Sequence, residues 1–330
     1  NVSFEEGTTK VVDSLFANCP GLEEVKLADA ITEISSYAFW NSGIQKITLS
    51  KSLTTIGQNA FKDCGSLATV ENAYRVENVN ANAFQNCSSL TEIKFGKYIT
   101  NIDTNAFSNV ADITIYGVTD TGAETFAASK GYTFVAYSIP ATTLEISETT
   151  LMLLKGRTGS LTATVLPEDT TDFVVWKSLN TDVVTVDQEG NLATVDLGET
   201  KVNVSAGTQR KTCTVTVVQP VDEIKFSSKK ISMEALETFD LEPEVLPENA
   251  YNKTIEWTST DDTIASVDEN GVITSHKKGY AQITGAATDG SEVKTICEVT
   301  VTNNVYPCTK VDELESPHNY DNGCTDVWIY

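Results

Sequence analysis

The sequence predicts a mainly β, multi-domain chain: a solenoid closed by a C-terminal helix–strand cap, then two β-sandwiches in tandem. Three observations carry that expectation. "NAFKDCGSL" at 59–67 returns 23 residues later as "NAFQNCSSL" at 82–90. A longer unit at 144–195 is repeated at 224–275. Between the two repeat types lies "GAETFAASKGYTFVAY" at 122–137, which matches neither.

In the first repeat, Phe16, Phe39, Phe61, Phe84 and Phe107 are spaced 23, 22, 23 and 23 residues apart. Apolar doublets precede the later four, "ITEI" 31–34, "LTTI" 53–56, "VENV" 76–79 and "ITNI" 99–102. Strand-like runs follow the first four, "LEEVKL" 22–27, "IQKITL" 44–49, "LATVEN" 67–72 and "LTEIKF" 90–95. A fixed period of about 20–29 residues with one Leu/Ile-rich strand per period marks a solenoid. One such coil cannot bury its apolar edge alone, so stacking sets Phe on Phe and Ile on Ile. Cys19, Cys64 and Cys87 each follow a repeated Phe by three residues, and Ser42 and Val110 replace them in the other copies. Residues exchangeable with Ser and Val are packing groups rather than metal ligands or nucleophiles.

After Phe107 the repeat is expected to fail, because "VADITIYG" at 110–117 follows it more closely than in earlier copies. The next segment then reads as a short helix stopped by Gly131 and a strand, which suits the cap a solenoid needs over its last apolar face. The pattern "L-x-x-I-x-L … I-T-x-I-x-x-x-A-F-x-x-C" resembles the BspA-type leucine-rich repeats of bacterial surface proteins. The resemblance assigns residues 1–139 to a leucine-rich-repeat solenoid with its cap.

The second repeat shares "LPE" (166–168, 246–248), Trp176 with Trp257, "VDxxG" (186–190, 267–271) and the closing "TCTVTV" with "ICEVTV". Short alternating strands broken by turn signals every 8–12 residues predict β-sandwiches. Strand alternation puts Cys213, Val215 and Val217 on one face, so Cys213 and Cys297 are expected as buried thiols and the two Trp as core. This layout resembles the bacterial Ig-like group 2 domain, present at 140–219 and 220–302, with "IPATT" 139–143 and "VQPV" 218–221 as joints. The tail 303–330 contains "ESPHNYDNGCTDVWIY", similar to the opening strand region of CUB-like modules of secreted bacterial hydrolases.

The 330 residues carry a net charge of −23 with no basic stripe, which disfavours nucleic acid and anionic lipid as partners. No run approaches the ~18 apolar residues of a membrane span, and no segment has a signal-peptide layout. The chain starts at Asn1 rather than Met and reads as a piece of a longer protein. Of seven Cys, only Cys308 and Cys324 stand outside both repeats, and they are the candidate disulfide of a secreted protein. No CxxC pair exists for zinc.

Catalysis finds little to stand on. Only His276 and His318 could shuttle protons near neutral pH, both in polar turns, and no "GxSxG" or phosphate-binding Gly motif occurs. The expectation is therefore a protein with no catalytic residues and no cofactor. Asp261, Asp262, Asp268 and Asp289 are calcium candidates, set against turns in which Asp caps its own backbone.

The remaining surface is the outward face of the solenoid strands: Glu24, Lys26, Lys46, Thr48, Thr69, Glu71, Glu92, Lys94, Asp112 and Thr114. A charged ladder on a repeat array suits protein recognition, though no aromatic residue marks this strip. Trp40 occupies a position filled elsewhere by Ala17, Lys62, Gln85 and Ser108 and is expected as an exposed contact. The family resemblances imply a non-catalytic, extracellular bacterial surface or secreted protein, adhesin-like. Its solenoid would bind a protein or glycan ligand on another cell or matrix, with the Ig-like domains as stalk. The rival expectation is the accessory region of a large secreted hydrolase whose catalytic domain lies outside this chain. A third is a spacer that binds nothing.

Overall fold

The computed structural model describes residues 2, 4, 5 and 7–303. It divides into two compact units: Asn1–Ser147 with Thr162–Trp176 and Asn203–Thr212, and Glu148–Leu161 with Lys177–Val202 and the chain from Cys213 on.

In the first unit each coil supplies two short strands. One set is β1 (Lys10–Val11), β3 (Glu33–Ile34), β5 (Thr55–Ile56), β7 (Asn78–Val79) and β9 (Asn101–Ile102). The other is β2 (Glu24–Lys26), β4 (Lys46–Thr48), β6 (Thr69–Glu71), β8 (Glu92–Lys94) and β10 (Thr114–Gly117). The odd-numbered set forms one parallel sheet in which Val11, Ile34, Ile56, Val79 and Ile102 stand in register.

Between the sheets the repeated Phe rings stack. Centroids are 5.1, 5.0, 5.3 and 4.9 Å apart from Phe16 to Phe107, with interplanar angles of 5–19°. The backbone repeats with them: Phe16, Phe39, Phe61 and Phe84 N–H groups donate to Ala38, Ala60, Ala83 and Ala106 carbonyls at 2.7–2.8 Å. Two residues after each Phe the chain turns through a left-handed residue, Asn18, Asn41, Asp63, Asn86 and Asn109. Asn and Asp tolerate that region because their short polar side chains bond locally. Here they bond along the stack: Asn41 donates to Asn18 at 2.8 Å, Asn86 to Asp63 at 2.5 Å and Asn109 to Asn86 at 2.8 Å.

The thiols that follow are packing groups, as their exchange with Ser and Val implies. Cys64 and Cys87 are buried and donate to the carbonyls of Phe39 and Phe61, one coil back, at 2.9 and 3.1 Å. Burial pushes both thiols up, and Cys297 to about 11. Cys213 and Cys297 are fully buried. Thiolate is the reactive form. Maleimide applied to the folded chain at neutral pH, followed by peptide mapping, should therefore leave Cys64, Cys87, Cys213 and Cys297 unlabelled until denaturant is added.

The cap is a helix, α1 (Gly122–Lys130), followed by β11 (Thr133–Ala136). Phe126 sets its ring 5.6 Å from Phe107, and Tyr132 sets its own 5.9 Å from Phe126, closing the aromatic stack. Gly131 ends the helix at φ 68°. β11 pairs parallel with β10, so the cap extends the sheet by one strand. The repeat does not fail at β10. Ile115 lies in register with Ile93, eight residues beyond its Phe, the spacing found in the coil of Phe39 and Ile47.

Within the same unit, β12 (Thr143–Ile146) pairs antiparallel with residues 163–166. Lys97, only 9% exposed, donates to the Asp172 carbonyl and lies 5.3 and 4.9 Å from the ring centroids of Tyr98 and Phe173. Burial lowers its pKa to about 8.

The second unit contains the whole of the second sandwich. Its four-stranded sheet runs in the order 230–233, 294–301, 279–287, 255–259, and its three-stranded sheet in the order 238–240, 272–275, 265–267. A two-stranded ladder joins 223–225 to 244–246. The equivalent pairings recur in the preceding module: 143–146 with 163–166, 150–154 parallel to 214–218, and 158–160 with 191–194. Leu241, Ile273, Ile283, Cys297 and Val299 form the second module's core. Trp176 is buried, whereas Trp257 is only half-buried and stacks on Phe226 at 5.2 Å. In both modules the "VDxxG" turn is capped by its Asp, whose carboxylate accepts the N–H groups of residues two and four further on.

Candidate functional site

The strip predicted on the solenoid is built by β2, β4, β6, β8 and β10, where alternation turns every second side chain outward. In register across the strands stand Glu24, Lys46 and Thr69, and beside them Lys26, Thr48 and Glu71. Glu92 and Lys94 of β8 pair with Thr114 and Tyr116 of β10. Asp112 is thus not on the strip. It sits in the preceding turn at φ 54°, because the strand begins two residues later than "VADITIYG" implied. Thr114 takes the place assigned to Asp112 and Tyr116 the place assigned to Thr114, so the strip does carry an aromatic residue.

Opposite charges alternate across the coils. Lys46 lies 3.8 Å from Glu24 and 3.1 Å from Glu71, and Thr48 donates to Glu71 at 2.9 Å. The Lys46 ammonium and the Thr48 hydroxyl hold the Glu71 carboxyl below its ordinary range. These pairs are solvent-exposed and contribute little to stability. Their consequence is orientation, since Glu24, Lys46 and Glu71 are held by neighbours one coil away.

At the capped end the strip gains a second ring that the sequence did not flag. Tyr137 follows β11 and donates its hydroxyl to the Phe95 carbonyl at 2.8 Å, and Lys94 Nζ lies 4.2 Å from its ring centroid. Burial pushes the Tyr137 hydroxyl up to about 12. Tyr116, Tyr137, Thr69, Glu92 and Lys94 line an opening of about 320 Å³.

The opening exists because the strip's sheet is split. Among the described residues, β2–β4–β6 and β8–β10–β11 are separate three-stranded sheets. The cause is legible at Asn72. Its equivalents Leu27, Leu49 and Phe95 are buried and leave the sheet through Leu27 N–H to Thr48, Leu49 N–H to Glu71 and Phe95 N–H to Tyr116 carbonyl bonds. Asn72 instead is exposed and left-handed at φ 65°, and a 3-10 turn follows at Ala73–Arg75. The chain turns away before it can bond to β8. Val70 is accordingly 9% exposed, where Ile47 and Ile93 are 0% and 2%.

Trp40 lies away from this strip, at the turns. It is half-buried rather than freely exposed: Nε1 donates to Asp63 at 2.9 Å and its ring meets Tyr37 edge-on at 6.0 Å.

The calcium candidates are not brought together. Asp261 accepts the N–H and hydroxyl of Thr263, Asp268 accepts from Asn270 and Val272, and Asp289 accepts from Ser291 and Val221. No group of three or more His, Cys, Asp or Glu suited to a metal occurs among the described residues. His276 Nε2 lies 2.8 Å from Ser266 Oγ. His318, Cys308, Cys324 and the CUB-like pattern lie outside the described residues.

Comparison with known families decides what this architecture is. The model of the BspA type leucine rich repeat region matches residues 1–114 in six copies, and that of the bacterial Ig-like domain (group 2) matches 140–217 and 220–299. The chain carries BspA-type leucine-rich repeats followed by two bacterial Ig-like domains. The BspA-type repeats therefore hold the strip from Glu24 to Thr114, while Tyr116 and Tyr137 lie beyond the matched residues.

An uncharacterized protein of Clostridium acetobutylicum is 30% identical over 191 residues, 56% of this chain and 20% of that protein. A 3-O-alpha-D-galactosyl-alpha-L-arabinofuranosidase of Bifidobacterium longum subsp. longum is 31% identical over 136 residues, 36% of this chain and 12% of the enzyme. The matches thus span only a small part of either relative. Domains 4 and 5 of the S-layer protein SbsC align at 18% identity and a TM-score of 0.23, over 50% of this chain and 100% of that one, too slight a likeness to bear an argument. No helix among the described residues is long and apolar enough to cross a membrane.

Proposed function

We propose that this chain is a non-catalytic recognition segment of a bacterial surface or secreted protein. Its BspA-type repeats bind a protein or glycan ligand on another cell or matrix, and the Ig-like domains serve as the stalk. The observation that supports this reading is the strip: charges of both signs held in register across successive coils, with Tyr116 and Tyr137 at one end. A repeat array displays such a surface on a scaffold whose backbone bonds and ring stacks leave it little freedom to adapt. Nucleic acid is not the partner proposed, given the net charge of −23.

The test is a binding assay against immobilised matrix proteins and whole bacterial or host cells. A triple charge reversal, Lys46→Glu, Glu92→Lys and Lys94→Glu, is expected to cut binding at least tenfold while leaving the melting midpoint within a few degrees. Binding that survives the reversal would place recognition elsewhere on the chain.

The glycosidase relative favours a second reading, in which the segment is an accessory part of a large secreted hydrolase. The reading frame around this chain discriminates: a catalytic domain supports the second reading, a wall anchor with more repeats supports the first.

A further inference from the structure

The split between β6 and β8 is a fault in an otherwise repeating sheet, and it costs hydrogen bonds that the neighbouring coils make. Between β2 and β4 the N–H groups of Gln45 and Lys46 donate to the Glu23 carbonyl. Between β4 and β6 those of Ala68 and Thr69 donate to Gln45, and between β8 and β10 that of Thr114 donates to Thr91. Among the described residues no such bond joins β6 to β8, so the facing edges present free backbone donors and acceptors to the opening. The mouth adds Thr69, Glu92 and Lys94 as hydrogen-bonding groups and Tyr116 as a half-buried ring, while Tyr137 forms the wall against which Lys94 is held.

We propose that this opening is a binding site for a single neutral pyranose unit of a glycan chain. The inference rests on the recognition role proposed above and narrows its ligand class at this end of the strip. At about 320 Å³ the opening lies at the lower end of the roughly 300–1,000 Å³ of small-ligand sites, room for one ring and not for a polymer segment. Its lining alternates groups that want hydrogen bonds with an aromatic surface. A sugar ring presents hydroxyls at its rim and C–H groups on its face, which satisfies both. An inserted apolar side chain would use the Tyr116 face and none of the hydroxyl, carboxylate and backbone groups around it. An added β-strand is excluded by space, because β6 and β8 are already in close contact and a strand needs about 4.8 Å from each neighbour, so the ring rests at the mouth against Tyr116 and not between the strands. Glu92 sets a carboxylate at the mouth beside the Lys94 ammonium, so the site carries no net positive charge to favour an acidic sugar.

The test uses the whole chain and saturation-transfer NMR with methyl glycosides of galactose, glucose, mannose and N-acetylglucosamine. At least one is expected to show transfer, and titration is expected to show at least tenfold weaker binding in Asn72→Leu and Tyr116→Ala, with Thr185→Ala unchanged. Asn72→Leu places an apolar residue where Leu27, Leu49 and Phe95 stand, so it should extend the strand, bond to Lys94, close the opening and raise the melting midpoint. If it fails to fold, Tyr116→Ala alone carries the test. Transfer from none of the four sugars, or transfer that persists in Tyr116→Ala and in a folded Asn72→Leu, overturns the proposal. Glu92 and Lys94 belong to both surfaces, so Lys46→Glu is the variant that separates the two. Macromolecular binding sensitive to Lys46→Glu, with no sugar bound, removes the pyranose site and leaves the recognition role standing. Neither kind of binding removes both.

Discussion

Replacing Phe61 by alanine is expected to destabilise the solenoid by about 3–5 kcal/mol, the range for truncating a fully buried aromatic ring. Phe61 is fully buried between two rings, 5.0 Å from Phe39 and 5.3 Å from Phe84, so the cavity opens on both sides of one coil. Contacts in a solenoid are nearest-neighbour, so the loss is concentrated on the two flanking coil interfaces and cannot be shared along the stack. Phe16→Ala should cost clearly less. Phe16 is half-buried, with one stacked neighbour at 5.1 Å and only an edge contact from Phe4 at 6.4 Å on its other side. Urea unfolding followed by tyrosine and tryptophan fluorescence ranks the two. Equal midpoints for Phe61→Ala and wild type would show that the ring stack does not hold the coils together.

Gly43→Ala is the second substitution with a large expected effect, and it acts by the opposite route. A Cβ at position 43 would lie 2.0 Å from the Pro20 carbonyl oxygen and 2.8 Å from its carbon, while the Gly43 N–H donates to the Cys19 carbonyl at 3.0 Å. The obstacle is backbone of the preceding coil, which cannot rotate aside as a side chain can. Relief requires the two coils to part, which weakens the Phe16–Phe39 stack and the bonds from Gln45 and Lys46 to Glu23. A loss of about 1–3 kcal/mol is expected for such overpacking. Gly65→Ala is the control, since its nearest neighbour is the Ser88 hydroxyl at 3.6 Å. Thermal melts of the pair should separate by several degrees, and coincident midpoints would mean the coils tolerate parting.

The ring stack was readable because it depends on period alone: once Phe recurs every 22 or 23 residues in coils of equal length, stacking follows. The cap was readable for the same reason, as a helix and Gly131 breaking the period. The strip was less so. Taking the last strand from Val110 puts Asp112 on it and leaves Tyr116 off, whereas Val110 occupies the place of Cys64 and Cys87 in the preceding turn. Counting from Phe107 to the buried Ile115 gives the correct register. The variety of residues equivalent to Trp40 implies exposure, a pattern that does not contain Asp63, its hydrogen-bond partner 23 residues on.

The Asn72 break left a signal in the sequence, a polar residue in a column otherwise filled by Leu27, Leu49 and Phe95. That signal does not say what happens next, since a buried Asn would have written the same letter, whereas Asn72 is exposed and its side chain donates to the Leu49 carbonyl one coil back at 3.4 Å.

Coil length, the order of the modules and the identity of the buried columns were settled by the linear pattern, because burial repeats with the chain's own period and needs no knowledge of distance. Whether two strands 23 residues apart bond to each other was decided only in three dimensions. That outcome turned on the left-handed backbone of one asparagine, which is not a periodic property.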